Sequence, residues 1–292
     1  MKLLILGANG QVGRSLCKLC DENSIEYVST TREQLDITDK ESTESFIRNI
    51  DVNFVINATA YTNVEKAEDD IENANTVNGT SVRYIADVCK NKNIPFIHIS
   101  TDYVFDGTKQ GMYTEEDITS PINVYGHSKL KGEIELQQIW HKHIILRVSW
   151  VFSEYGNNFV KTMLKLSNSH EKLTVISDQY GSPTSANSIA KHIVEMCTRI
   201  SADNTFDKWG IYNYTDLPLT TWHQFATYII DNNKTAKTKQ IVPILAKDFP
   251  TKAKRPLNSG LDTNKIRKQF DIKQSLWTNE VDRVIDILED KI

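Results

Sequence analysis

Short apolar runs at 3–6, 26–29, 54–57, 95–100 and 144–149 alternate along the first half of the chain with amphipathic segments at 11–21, 39–49, 81–92 and 128–141. Apolar runs this short, bounded by turn formers, suit strands buried on both faces. The segments between them carry apolar residues at helical spacing, as Phe46, Ile47 and Ile50 do. Strand and helix in strict succession predict right-handed crossovers and a parallel sheet covered on both sides. The expected class is α/β.

The first run leads straight into Gly7-Ala8-Asn9-Gly10-Gln11-Val12-Gly13, which opens the first helix. Three glycines at this spacing serve three needs: a tight turn, close approach of a pyrophosphate, and close packing of helix on strand. The helix N-terminus then offers free N–H groups and partial positive charge to an anion. In this context the motif predicts a Rossmann-type, doubly wound dinucleotide-binding domain. The end of the second strand selects the cofactor. It carries Ser29-Thr30-Thr31-Arg32 where an acid would hold a ribose 2′-hydroxyl. Arg32 can pair with a 2′-phosphate, which favours NADPH, while Glu33 next to it keeps NADH open.

After Trp150 the rhythm loosens. Helices are expected at 158–166, 187–198, 220–231 and 279–289, with a short strand at 173–176. The expected division is a dinucleotide-binding domain at 1–150, to which 187–215 returns, and a smaller C-terminal α+β lobe of 151–186 and 216–292 that binds substrate. Ligands of open parallel sheets sit beyond the carboxyl ends of the strands, so the site belongs between the two.

Tyr125-Gly126-His127-Ser128-Lys129 carries the candidate chemistry. Tyrosine and lysine four apart share one helix face. A cation near a phenol favours the phenolate, so the pair predicts a general acid for a developing alkoxide. Thr101 and Asp102 end the fourth strand, at the edge where ligands bind, and Thr101 can bond the same oxygen. Ala60, Tyr61 and Thr62 follow the third strand, where small residues admit a nicotinamide.

Other features read as structural. Cys17 and Cys20 form a C-x-x-C inside a helix, with no second close pair, and are expected to be reduced thiols. The seven histidines lack metal-ligand spacing, so no metal is expected. His98, inside a strand, is read as a structural residue, and Asn157 and Asn158 as caps for the following helix. Charge excludes some partners: a net charge of -4 gives no global attraction to nucleic acid or an anionic membrane. No apolar run approaches the roughly 18 residues of a membrane span, and a cytoplasmic protein is expected.

Taken together, these motifs resemble the extended short-chain dehydrogenase/reductase superfamily and, more narrowly, the dTDP-4-dehydrorhamnose reductase family. The pieces are GANGQVG from Gly7, LDITD from Leu35, NATAYTNVEKAE from Asn57, STDYVFDG from Ser100 and PINVYGHSK from Pro121. The narrower likeness rests chiefly on the SWVF of LRVSWVF from Leu146, the GNNF of GNNFVKTML from Gly156, DQYGSPT from Asp178 and the RPLNS of KRPLNSGLD from Lys254. The resemblance implies Thr101, Tyr125 and Lys129 as the catalytic trio. It implies Gly10, Gln11, Val12, Asp36, Ile37, Ala60, Tyr61 and Thr62 around an NADPH or NADH cofactor. Asp102, Trp150 and Arg255 would touch a dTDP-sugar. Tyr61 stands where the family usually has histidine. The implied reaction is reduction of the C4 ketone of dTDP-4-dehydro-L-rhamnose, with a homodimer left open. The rival readings are an epimerase, a dehydratase or a different 4-ketoreductase on the same scaffold, and a non-catalytic subunit.

Overall fold

The computed structural model describes residues 1–289. Six strands form the central sheet: β1 (Lys2–Leu6), β2 (Glu26–Thr30), β3 (Phe54–Asn57), β4 (Phe96–Thr101), β5 (His143–Val148) and β6 (Gly210–Asn213). Their order is β6-β5-β4-β3-β1-β2, and every pairing is parallel. The side-chain period of two explains why both faces are covered. Leu3 and Ile5 enter one apolar core with Leu16, Ile189 and Ile193, whereas Leu4 and Leu6 enter the other with Ile47, Ile85 and Leu136.

The helices that build these layers are α1 (Gln11–Glu22), α2 (Lys40–Arg48), α3 (Ser81–Asn91), α4 (Val124–Ile139), α5 (Phe159–Ser167), α6 (Ala186–Ala202), α7 (Trp222–Asp231) and α8 (Trp277–Glu289). α6 packs on α1 in the first core, and β6 pairs with β5. A third core lies in the C-terminal half, where α5, α7 and α8 bury Val160, Phe225, Ile229, Trp277 and Val281 together. One stretch departs from the expected division. Ile266 and Phe270, on a short helix (Asn264–Phe270), join the first core with Ile272, within the 216–292 stretch expected in the other lobe.

The chain leaves β1 toward β2 on one side and later places β3 on the other. Such a reversal opens a crevice beyond the carboxyl ends of β1 and β3. No helix among the described residues is long and apolar enough to cross a membrane.

Candidate active site

Gly7, the first residue after β1, has φ +87°, and a Cβ there would lie 2.9 Å from the Ala58 and Thr59 backbone. Both the left-handed conformation and the crowding require glycine. A Cβ on Gly13 would collide with the Gly7 carbonyl, so this position sets how closely α1 packs on β1. Gly10 caps α1 without a side chain, and no side-chain hydrogen bond occupies the helix start. The N–H groups of Gly7 and Ala8 both donate to the Thr30 carbonyl, which ties the loop to the end of β2. An open helix start at a switch point is a cradle that fits a dinucleotide pyrophosphate.

On the side expected to face the adenosine, Arg32 is exposed and lies 4.0 Å from the Asp36 carboxylate. That contact is too loose and solvated to hold it. Asp36 instead builds a turn, accepting from the Thr38 N–H and hydroxyl, and Ile37 is buried. On the other side of the crevice, the Tyr61 N–H donates to Asn78 Oδ1 and the Tyr61 carbonyl accepts from Asn78 Nδ2. Asn78 also bonds Ser128 on α4. It sits on a five-residue π-helical segment (Thr76–Thr80) that precedes α3, a local widening often found at functional sites. Ala60 and Thr62 flank Tyr61 and are exposed.

α4 begins one turn before the expected start at 128. Asn123 caps it, its side chain accepting from the Gly126 N–H, and Gly126 lets the helix press against the Tyr103 carbonyl, where a Cβ would collide. The earlier start puts Tyr125 in the first turn and Lys129 one turn on. Tyr125 stands edge-on to Tyr103 at 5.5 Å. Beyond β4, the Thr101 hydroxyl donates to Asp102 Oδ1 at 2.8 Å and accepts from the Tyr103 N–H.

The electrostatics differ from the expected picture. Burial raises the Tyr125 phenol above its ordinary value, and the Thr101 hydroxyl offsets part of that rise. Among the described residues, Lys129 makes no hydrogen bond to the Tyr125 phenol. Its Nζ donates to the Ile99 carbonyl at 2.7 Å and lies 3.3 Å from His98 Nε2. Burial pushes the Lys129 ammonium down to about 8, with the Glu133 carboxylate working against the fall. Burial also raises Asp102 to about 6. One of its oxygens, Oδ2, is buried and has no hydrogen-bond partner among the described residues.

On the expected substrate side, Trp150 and Arg255 both have protein partners. Trp150 has φ +48°, a strained value for a bulky residue, and its indole stacks on Trp222 with ring centres 3.5 Å apart. The space under the ring is supplied by Gly181, where any Cβ would collide with the indole. Arg255 donates to Glu65 Oε1 at 2.8 Å instead of standing free for a phosphate. Gln179 and Thr184 are buried, and Asn158 caps α5 as expected.

A match to the family model described as "RmlD substrate binding domain" runs over residues 1–289. The chain belongs to the RmlD substrate binding domain family. A dTDP-4-dehydrorhamnose reductase of Aggregatibacter actinomycetemcomitans is 44% identical over 281 residues, covering 94% of this chain and 95% of the relative. Among solved structures, a dTDP-4-dehydrorhamnose reductase from Clostridium acetobutylicum superimposes with a TM-score of 0.92 at 33% identity, covering 99% of this chain and 100% of the other. One from Bacillus anthracis, solved in complex with NADP, gives 0.91 at 29% identity and covers 98% and 99%. A UDP-glucose 4-epimerase from Thermotoga maritima, at 16% identity and 0.82, shares the fold alone.

Within this RmlD-family site, three residues escaped the sequence reading. Asn57 bonds Thr59 locally, but its link to His98, 41 residues away, and that of Asn78 to Tyr61, 17 away, carry no local spacing signal. Glu133 lies on α4, one turn beyond Lys129. Its two oxygens take Arg147 Nε at 3.0 Å and Nη2 at 2.7 Å, and the Ser100 hydroxyl. A charged residue four after the lysine, and an arginine inside an apolar strand, were the available signals.

Proposed function

We propose that this protein is an NADPH-dependent reductase that converts the C4 ketone of dTDP-4-dehydro-L-rhamnose to the alcohol of dTDP-L-rhamnose. NADH remains an alternative donor. The reading is carried by one juxtaposition: Thr101 ends β4, Lys129 on α4 bonds the Ile99 carbonyl of the same strand, and Tyr125 stands one turn earlier on α4. An open glycine cradle lies at the nearby switch point. Its family supplies the substrate class.

When bound, the reduced nicotinamide supplies the hydride. Gly7, Gly10, Gln11, Val12 and Gly13 would hold the pyrophosphate, with Arg32, Asp36 and Ile37 on the adenosine side and Ala60, Tyr61 and Thr62 on the nicotinamide side. Tyr125 donates its phenolic proton to the oxygen that becomes alkoxide at C4, and the phenolate is later reprotonated from solvent. A phenol kept protonated by burial is suited to be the acid in this direction. Thr101 gives a second hydrogen-bonding contact to the same oxygen. Lys129 would hold a ribose hydroxyl and, when charged, favour the phenolate that Tyr125 leaves behind. Asp102 Oδ2 is an acceptor suited to a sugar hydroxyl, and Trp150 is an apolar wall for the ring. Arg255 would reach a nucleotide phosphate only by leaving Glu65.

The test is to incubate the purified protein with dTDP-4-dehydro-L-rhamnose and either cofactor. Stoichiometric oxidation of NADPH, with weaker use of NADH, is expected. Loss of the keto sugar without cofactor oxidation would favour an epimerase or a dehydratase.

A further inference from the structure

Behind the catalytic pair runs a buried chain of polar side chains. Asn57, His98 and Lys129 are at most 1% exposed. Asn57 Oδ1 accepts from the Thr59 N–H at 3.0 Å and from the Thr59 hydroxyl at 2.5 Å. A backbone N–H can only donate, so the orientation of the amide is settled, and Nδ2 is the atom facing His98 Nδ1, at 3.2 Å. A donor there requires Nδ1 to be unprotonated. Burial holds His98 far below the ordinary histidine value, so the ring is neutral and its one proton sits on Nε2. That N–H points at Lys129 Nζ, 3.3 Å away. Two donors cannot share this contact, so it is favourable only when the lysine presents a lone pair.

We infer that Asn57 locks His98 in its Nε2–H tautomer, and that His98 is thereby a positioning residue that favours the uncharged amine of Lys129 and sets the alkaline limit of the reaction. The inference rests on the reductase reading for the role of Lys129. The polarity of the chain does not depend on that reading.

The other titratable groups around Lys129 leave this arm in control. On its own helix, Glu133 favours the ammonium but has both oxygens engaged by Arg147 from β5 and by Ser100 from β4. Tyr125, also on α4, is neutral, with its proton retained by burial. Asn78 and Ser128, which bond each other at 2.9 Å, carry no charge. The Ile99 carbonyl takes one amine hydrogen in either protonation state. His98 is therefore the neighbour whose hydrogen-bond polarity discriminates between amine and ammonium.

The substitution that inverts the arm is Asn57→Asp. A carboxylate keeps the acceptor for Thr59 but presents a second acceptor to His98 Nδ1. The ring proton then moves to Nδ1, and Nε2 becomes an acceptor for the ammonium of Lys129. The experiment is ¹⁵N NMR of the imidazole nitrogens in the cofactor-free protein, with His98 assigned from a His98→Gln variant. In the unsubstituted protein the expected spectrum has a protonated Nε2 and an unprotonated Nδ1 throughout the neutral range. Asn57→Asp is expected to reverse the two. In turnover, the fall in kcat/KM at high pH is expected to move up by about one pH unit in Asn57→Asp. A protonated Nδ1 in the unsubstituted protein would overturn the inference, even if the variant failed to fold. A reversed tautomer with an unmoved alkaline limb would overturn the role assigned to His98. Because the NMR needs neither substrate nor cofactor, its result is separable from failure of the reductase reading.

Discussion

At position 129 a cation has been taken out of water, and its cost has a pH signature. The folded-state value of about 8 lies below the ordinary 10.5. Between these values the unfolded chain binds the proton more tightly than the folded one. Lys129 therefore weakens the fold at neutral pH, and the penalty fades as pH rises from about 8 to about 10.5. Lys129→Met is expected to raise the Tm at neutral pH, by on the order of 1–2 kcal/mol of stability after loss of the bond to Ile99, while turnover collapses. Thermal unfolding followed by circular dichroism measures it. A lower Tm at neutral pH would show that the ammonium stabilises the fold. The pairing of Tyr125 with Lys129 was legible in the sequence because both lie on one helix, four residues apart. What holds the lysine was not legible. His98 was read as a structural strand residue, and the bonds that give it a role come from Asn57, 41 residues earlier, and Lys129, 31 later.

At the scale of elements, the strands were the most readable part. β1, β3 and β5 are buried on both faces, so each appears as a short, mainly apolar run of nearly the observed length, broken in β5 by Arg147. The start of α4 was harder to read. Val124-Tyr125-Gly126 looks like a loop until Asn123 is seen to cap it and Tyr103 is seen to demand the glycine. The π-helical turn at Thr76–Thr80 has no sequence signature, since it depends on how Asn78 fits between Tyr61 and α4. The joint between β1 and α1 yields the sharpest expectation at this scale. Gly13→Ala must push α1 off the Gly7 carbonyl. The expected result is a loss of about 1–3 kcal/mol in denaturant unfolding, with NADPH binding weakened more than tenfold by fluorescence titration. Unchanged binding would mean that the cradle is not where the pyrophosphate sits.

Across the whole molecule, the Gln11 side chain joins the glycine loop to the C-terminal half. Gln11 Oε1 accepts from the Ser153 hydroxyl and from Asn158 Nδ2, both at 2.9 Å. Gln11, at the start of α1, thus also touches the half of the chain that carries Trp150 and its stack on Trp222. This link was half visible: Gln11 and Asn158 were each singled out, one for the cofactor and one as a cap, and their meeting depends on the closed fold. On the proposed function, the assembled molecule would deliver one proton, from the Tyr125 phenol, into the crevice beyond the strand ends. The most direct test is Tyr125→Phe, assayed for steady-state reduction and for NADPH affinity. The account predicts that kcat falls by roughly 10²-fold or more while the Kd for NADPH stays within a few-fold of its original value. Turnover equal to that of the unsubstituted protein would contradict it, and would remove Tyr125 as the proton donor.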